Sequence, residues 1–456
     1  MPGHSFEPFI NDDSRILILG SFPSVKSREA SFYYANPTNR FYKVLAAVFN
    51  EKTPLSEIEK RIFLKRNKIA LYDVIESCDI KGSSDSSIKN VKPCDLLNLL
   101  ERAPIERIFL NGRTAEKYFN IYLKDISGFT PVTLPSTSAA NAKESLESLI
   151  EAYSIIRTPK IKYYDPSRAV HDPDGIINNF YKDKNTCDAY LDLKNPAIPL
   201  IRFKSNASFP FVDSYFTTRL GGVSHGCLSS MNLGFKRDDD PENIRKNYAL
   251  LSDRMNTSLD RIVMTSQIHE STILKADLKH ALGQECIPRY PAVDGLYTDE
   301  KDLMLSASFA DCVPIYAINK KNGRIVLSHS GWRGTVADMP MKTAIKAACD
   351  SNIKDVTVII GPSIDSDSYE VTRDLIGAFS KTFSDEEMRI IARKKDRTHF
   401  LLDLWAACYF SIRKAGVPED HIYFSSVSTY ENADILYSHR RSNGKRGNNN
   451  AFLIRR

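Results

Sequence analysis

Three residues far apart in the chain, His269, Cys312 and His329, each sit inside a short segment that looks built around it. The segments are Gln267-Ile-His-Glu270, Ala310-Asp-Cys-Val-Pro314 and Ser328-His-Ser-Gly-Trp-Arg-Gly-Thr335. Two imidazoles and a thiolate are a good donor set for zinc. Three protein ligands leave the fourth tetrahedral position to water or substrate, which suits a catalytic ion better than a structural one. The wide spacing is not that of a zinc finger, whose ligands come in close pairs. The same residues also fit a buried thiol with two hydrogen-bonded core histidines, and spacing alone does not choose between the two.

Other residue types gather around these segments. Arg219 and Arg333 carry planar guanidinium groups able to grip phosphate oxygens bidentately. Gly221-Gly222 beside Arg219, and Gly331 and Gly334 around Trp332-Arg333, would let the backbone approach a ligand closely. Taken singly, each arginine also fits a surface or ion-pair role. Asn232 and Gln267 can hydrogen-bond a sugar or a base. Asp311, next to the cysteine, fits either a proton carrier or an orienter of the ligand.

The chain that must position these groups has 456 residues, enough for two or three domains. Hydrophobic content of 42% and charged content of 26% are those of an ordinary globular protein. No run of about 18 apolar residues is present, so no membrane span is expected. The N-terminus, Met1-Pro-Gly-His-Ser-Phe-Glu7, has no basic stretch leading into an apolar one, and eight cysteines are scattered without pairing patterns. Together these features lead to an expectation of a cytoplasmic enzyme with reduced thiols. A net charge of +6 permits a nucleic-acid partner without demanding one.

Arg15-Ile-Leu-Ile-Leu-Gly20 is an apolar run ending in glycine, as in a buried parallel strand. Strands are then expected over 69–74, 105–110 and 130–134, alternating with helices over 41–50, 55–66, 94–102, 114–124 and 142–156. That alternation predicts a three-layer α/β/α domain over 1–158. Residues 159–197 are turn-rich and read as a linker or docking segment, with Pro196 and Pro199 marking its end. Over 198–456, strands (324–328, 356–360) mix with helices (241–255, 339–351, 402–415), so the second domain is also mixed α/β.

The second half carries Thr217-Thr-Arg-Leu-Gly-Gly-Val-Ser224, Ser230-Met-Asn-Leu-Gly234, Asp239-Asp-Pro241, the three segments above, and Gly361-Pro-Ser-Ile364 with Ser368-Tyr-Glu-Val371, all in one order. In this it closely resembles the laccase-domain family once described as polyphenol oxidases. Members of that family are associated with zinc-dependent purine nucleoside phosphorylase and adenosine deaminase activities, and some with peptidoglycan-precursor editing. The resemblance implies Zn(2+) on His269, Cys312 and His329, inorganic phosphate as co-substrate, and purine nucleosides as substrates. It also implies Arg219, Arg333 and Asp311 in catalysis, with Asn232 and Gln267 on the nucleoside. Ser428 departs from the family pattern, which has cysteine there. Copper oxidation needs dense clusters of histidine and cysteine, and nine scattered histidines do not supply them.

The first half carries Leu19-Gly-Ser-Phe-Pro-Ser24, Ser31-Phe-Tyr-Tyr-Ala-Asn-Pro-Thr-Asn-Arg-Phe-Tyr42, Ile69-Ala-Leu-Tyr-Asp-Val-Ile75, Gly82-Ser-Ser-Asp-Ser-Ser-Ile88, Phe109-Leu-Asn-Gly112 and Leu134-Pro-Ser-Thr-Ser-Ala-Ala-Asn-Ala142. As a set these resemble the hypoxanthine (deoxyinosine) branch of the uracil-DNA glycosylase superfamily. Such an enzyme flips a base from the stack and holds it between aromatic faces and polar edges. The resemblance implies DNA containing deaminated bases as partner. Phe22, Phe32 and Tyr33 become stacking faces, Asn39 the water-positioning residue and Asp73 a reader of the base edge, although Asp73 also fits a helix cap or surface acid. Ser136-Thr-Ser138 and Asn141 would grip phosphate and fill the space of the flipped base. Arg40, Arg113 and Lys117 fit phosphate contacts or plain surface charges. Two departures stand out: Phe22 occupies a slot where relatives often carry Asp or Asn, and the last loop lacks an early histidine. The expected whole is a bifunctional fusion acting on purine–sugar bonds. The rival is a precursor-editing hydrolase joined to a non-catalytic DNA-binding module.

Overall fold

The computed structural model describes residues 6–80, 82, 85–157, 159–195, 197–290 and 292–456. The first five residues, Ser83 and Ser84 of the serine-rich motif, and Pro196 lie outside the described residues. The chain divides into two compact units, residues 1–158 and 159–456.

The first unit is built on a four-stranded parallel sheet in the order Ile69–Asp73, Ile16–Gly20, Arg107–Asn111, Val132–Leu134. Ile16–Gly20 is buried along its whole length because both faces are covered. Ile16 and Ile18 pack with Phe41, Leu45, Phe63 and Leu149. Leu17 and Leu19 point the other way, into a cluster with Leu96, Leu99, Ala115 and Phe119. The helices Phe41–Phe49, Glu57–Arg66 and Leu146–Tyr153 therefore cover one face, and Leu96–Arg102 and Arg113–Tyr122 the other. This is the expected three-layer α/β/α arrangement. Ser56 and Glu59 close a capping box that starts Glu57–Arg66. The antiparallel pair Ile75–Asp79 and Lys89–Pro93 was not expected from sequence.

The second unit holds two six-stranded sheets. One runs Ile262–Met264, Met304–Phe309, Asn449–Arg455, Val212–Thr217, Leu200–Phe203, Ala189–Asp192. The other runs Ile273–Lys275, Gly295–Thr298, Ile325–Ser330, Val313–Asn319, Val356–Ile360, Ile422–Phe424. Alternation along Val313–Asn319 sends Tyr316 and Ile318 into a core shared with Leu305, Phe309 and Leu453 of the first sheet. Ile315 and Ala317 face the opposite way, toward the helices Met339–Ala348 and Leu404–Lys414. Helix Pro241–Arg254 covers the outer face of the first sheet.

Residues 159–197 fall inside this unit, where the sequence read as a connector. Tyr163 bridges Val427, and Lys162 exchanges two hydrogen bonds with the Asn432 side chain, at 2.7 and 2.9 Å. Ile177 and Tyr181 enter the core, and Ala189–Asp192 adds an edge strand to Leu200–Phe203. The segment reads as loose because its anchors lie more than 200 residues away in sequence. Among the described residues, no helix is long and apolar enough to cross a membrane.

Candidate metal centre and sheet-edge cavity

The passage from one sheet to the other builds the candidate metal centre of the second unit. Cys312 sits where the chain leaves Met304–Phe309 of the first sheet and enters Val313–Asn319 of the second. His329 lies on Ile325–Ser330, paired with Pro314. His269 follows Ile262–Met264 in a loop, with a left-handed φ of 65°. Their donor atoms lie within 4.8 Å of one another, with His269 exposed, Cys312 half-buried and His329 buried. The two imidazole rings stand perpendicular, 4.9 Å apart. A Cβ at Gly331 would come 3.0 Å from Cys312 Sγ and 3.5 Å from His269 Cδ2, so glycine keeps that side of the triad clear.

Asp294, fully buried, holds the triad together and was not singled out by the sequence reading. Its Oδ1 accepts from His329 Nδ1 at 2.9 Å and from the His269 N–H at 3.0 Å. Its Oδ2 accepts the N–H groups of Ile268 and Glu270, at 3.1 and 2.9 Å. This carboxylate fixes the His329 tautomer and leaves Nε2 as the nitrogen facing Cys312, as outer-sphere carboxylates do for metal-bound histidines. Burial alone would raise the Cys312 thiol, but His329 and His269 outweigh it and hold the thiol below its usual range. Burial would likewise lower His329, and the sulfur and Asp294 together raise it. The only sequence trace of Asp294 is an acid before a glycine that starts a four-residue strand.

The remaining expected residues divide. Asp311 is nearly buried, at a φ of 89°; its Oδ1 accepts the Thr429 hydroxyl at 2.7 Å and its Oδ2 the Arg440 N–H at 2.6 Å. Gln267 is bracketed to Ser308 through both ends of its amide, at 2.7 and 3.1 Å. Asn232 is fully buried, donating to Asp239 and accepting the N–H groups of Gly234 and Asn448. Arg219 donates to the Ser229 and Ala433 carbonyls and lies 4.7 Å over the Tyr437 ring. Arg333 is exposed and stacks on Trp332. Asp311 and Arg333 stay near the triad, while Arg219, Asn232 and Gln267 spend the polar contacts named here within the fold. Ser428, at the family's cysteine position, is buried and donates to Asp365.

In the first unit, six of the expected residues, Phe22, Tyr33, Asn39, Asp73, Ser136 and Asn141, line one cavity of about 630 Å³ at the C-terminal ends of the parallel strands, whereas Phe32, also expected as a stacking face, is buried in the core with Phe41 and Leu45. Ligands characteristically bind at that edge in open α/β sheets. Asp73 ends its strand in register with Gly20, and a Cβ at Gly20 would fall 2.2 Å from Asp73 Oδ1. The missing side chain lets the carboxylate lie across the cavity floor. Tyr34, not picked out from sequence, stacks on Phe41 at 3.8 Å and keeps a buried hydroxyl near that carboxylate and Asn111. Asn39 Oδ1 accepts the Phe41 N–H at 2.9 Å, which sets the side chain at the rim. Asn141 Nδ2 donates to the Ser136 carbonyl at 3.0 Å, closing the loop on itself. Arg40, expected at phosphate or in solvent, instead ties that loop down through the carbonyls of Ser138, Asn141 and Glu144.

Residues 213–456 match the family described as multi-copper polyphenol oxidoreductase laccase, and residues 7–171 match the uracil DNA glycosylase superfamily. A purine nucleoside phosphorylase of Bacteroides thetaiotaomicron is 33% identical over 252 residues, 54% of this chain and 93% of that protein. Purine nucleoside phosphorylase YlmD of Geobacillus stearothermophilus is 34% identical over 245 residues, 53% of this chain and 89% of that one. The crystal structure of YlmD from the same organism superposes with a TM-score of 0.54 at 32% identity, covering 56% of this chain and 96% of that one.

Proposed function

Since the chain belongs, through residues 213–456, to the multi-copper polyphenol oxidoreductase laccase family, we propose that its second unit is a zinc-dependent purine nucleoside phosphorylase. The observation that carries this reading is the His269–Cys312–His329 triad braced by Asp294. With donor atoms all within 4.8 Å of one another, these three residues would hold a single zinc ion. The family description invokes several coppers, whereas the cluster found among the described residues offers three donors, enough for one ion. Zinc bound there would polarise a substrate oxygen or lower the pKa of a coordinated water. The residues of the chain do the rest. Asp294 holds the His329 imidazole and the backbone N–H of His269, and Asp311, with its oxygens engaged by Thr429 and Arg440, positions the turn that carries Cys312.

In phosphorolysis a phosphate oxygen bonds to C1′ of the sugar as the bond from C1′ to the purine breaks. The electron pair of that bond leaves with the base, which takes up a proton. Adenosine deamination, by attack of water on the purine ring with loss of ammonia, is assigned to the same centre. Hypoxanthine release from inosine, with and without phosphate, tests the first activity. Phosphate-dependent release that His329→Ala abolishes together with bound zinc supports it; phosphate-independent release from the zinc-loaded protein sinks it.

The first unit, a uracil DNA glycosylase superfamily domain, is proposed to excise hypoxanthine from DNA. Six expected residues meeting in one cavity support this reading. Asp73 and the Tyr34 hydroxyl, side by side on the floor, offer an acceptor and a donor to the N–H and carbonyl on the edge of that base. An abasic-site assay on deoxyinosine duplex tests it, with Asn39→Ala as control. Cleavage that survives the substitution would remove Asn39 from the mechanism, and none in the wild type would leave a binding module.

A further inference from the structure

The second unit buries positive charge that no part of the reading above uses. Arg446 is only 9% exposed, and its Nε is buried without a hydrogen-bond partner. Its terminal nitrogens bond the Gly447 carbonyl and Asn448 Oδ1, and one lies 3.5 Å from His439 Nδ1. Arg237 donates through Nε to the same Asn448 oxygen at 3.2 Å. Two guanidinium groups thus converge on one neutral oxygen, with an imidazole beside them. The carboxylates that act on them do so at a distance: Asp238 on Arg237, and Asp311 on Arg446. Asp311 already has both oxygens occupied.

Packing like charges together where one of them is buried is unfavourable unless an anion completes the group. The strain registers in the groups themselves. Burial, then Arg237, draws Arg446 down to about 10, and burial, then Arg446, lowers His439. Among the described residues neither guanidinium is spent on an ion pair, unlike Arg393, which is held by Asp367 at 2.7 Å. The cluster also adjoins the triad: the residue after His439, Arg440, donates its N–H to Asp311, the neighbour of Cys312.

We propose that Arg237, Arg446 and His439 form an oxyanion subsite beside the metal centre, and that it holds the inorganic phosphate co-substrate. Planar guanidinium forks fit a tetrahedral oxyanion bidentately, and the buried Nε of Arg446 is a donor still to be satisfied. The assignment depends on the phosphorylase reading only for the identity of the anion. It places phosphate on residues other than Arg219, whose guanidinium is held by two carbonyls, and Arg333, which lies on Trp332.

The test is calorimetric titration of inorganic phosphate into the zinc-loaded full chain, together with the KM for phosphate and for inosine. Arg237→Gln, at a half-buried position, is expected to weaken phosphate binding about 10-fold or more, with the KM for inosine within about twofold of wild type. Arg446→Lys keeps the charge but loses the fork, and is expected to weaken phosphate in the same direction. Phosphate binding unchanged in both variants, or absent from the wild type, overturns the subsite. Binding that depends on Arg237 in a protein that does not phosphorolyse inosine sustains the subsite and refutes the phosphorylase reading. Inosine 5′-monophosphate titrated alongside separates the two sources of the group: binding at Arg237 that requires the 5′-phosphorylated nucleoside overturns the free-phosphate assignment.

Discussion

Replacing Asp294 by asparagine tests the metal centre through a residue placed outside the donor set. The carboxylate serves four donors: His329 Nδ1 and the His269 N–H on Oδ1, and the Ile268 and Glu270 N–H groups on Oδ2. An amide offers one oxygen and one NH2, so two of the four must face a donor. With the oxygen toward His329, the NH2 opposes Ile268 and Glu270, and the loop carrying His269 loses its anchor. With the oxygen toward the loop, the NH2 donates to His329 Nδ1 and drives the ring proton onto Nε2, the nitrogen that must be bare to bind a cation. Either arrangement spoils one imidazole. Loss of such an outer partner lowers metal affinity about 10- to 100-fold, or about 1.4–2.7 kcal/mol. Two part-buried N–H groups left facing a donor cost on the order of 1 kcal/mol each in the metal-free fold. Competition with a chromophoric chelator reads the first quantity and urea unfolding of the metal-free protein the second. Zinc affinity equal to wild type in Asp294→Asn would refute the argument that this carboxylate sets the ligand geometry.

Gly331→Ala separates metal binding from folding. The φ of −76° at Gly331 suits alanine, but the new methyl would stand 3.0 Å from Cys312 Sγ. Zinc stoichiometry is expected to fall while the metal-free unfolding midpoint holds, and full stoichiometry would contradict it. Gly20→Ala is expected to displace the Asp73 carboxylate, 2.2 Å from the added Cβ, and to reduce base excision at least 10-fold; unchanged excision would take Asp73 out of base recognition. Asp403 is buried and raised to about 6, chiefly by burial, against opposing bonds from Ala406 N–H and the Tyr181 hydroxyl. A folded pKa above the unfolded value means that the stability Asp403 contributes is fully present below about pH 4 and is lost as pH rises toward 6, by on the order of 3 kcal/mol. Asp403→Asn is expected to flatten the urea midpoint across that window, and a pH slope equal to wild type would count against the assignment.

The first unit was legible because its strands are buried on both faces and so read as continuous apolar runs, as Ile16–Gly20 does. The polar Lys89–Pro93 gave no such signal, and its pairing with Ile75–Asp79 went unseen. In the second unit, strands of three or four residues such as Ile262–Met264 and Gly295–Thr298 are too short to carry a period. Tyr181 shows why 159–197 read as loose: its hydroxyl meets Asp403, 222 residues away. The donor triad was legible from residue type and motif, but Asp294 was not, since its work is done through backbone N–H groups that no sequence pattern marks. Arg219 shows the opposite failure. It looks like an anion binder on paper, and only its hydrogen-bond partners, the Ser229 and Ala433 carbonyls, show the guanidinium to be spent.

The donor triad staples together strands that belong to different sheets: Cys312 spans the crossing and His329 lies on the second sheet, while His269 follows a strand of the first. An ion held there is a ligand of the folded state alone, so it stabilises by mass action, about 2.7 kcal/mol at a free concentration 100 times its Kd. The benefit falls on the half of the chain that supplies the donors. A calorimetric scan of the intact chain in metal buffers therefore works as a map: the transition that climbs with free metal marks the unit carrying the triad, and its rate of climb gives the affinity without any substrate.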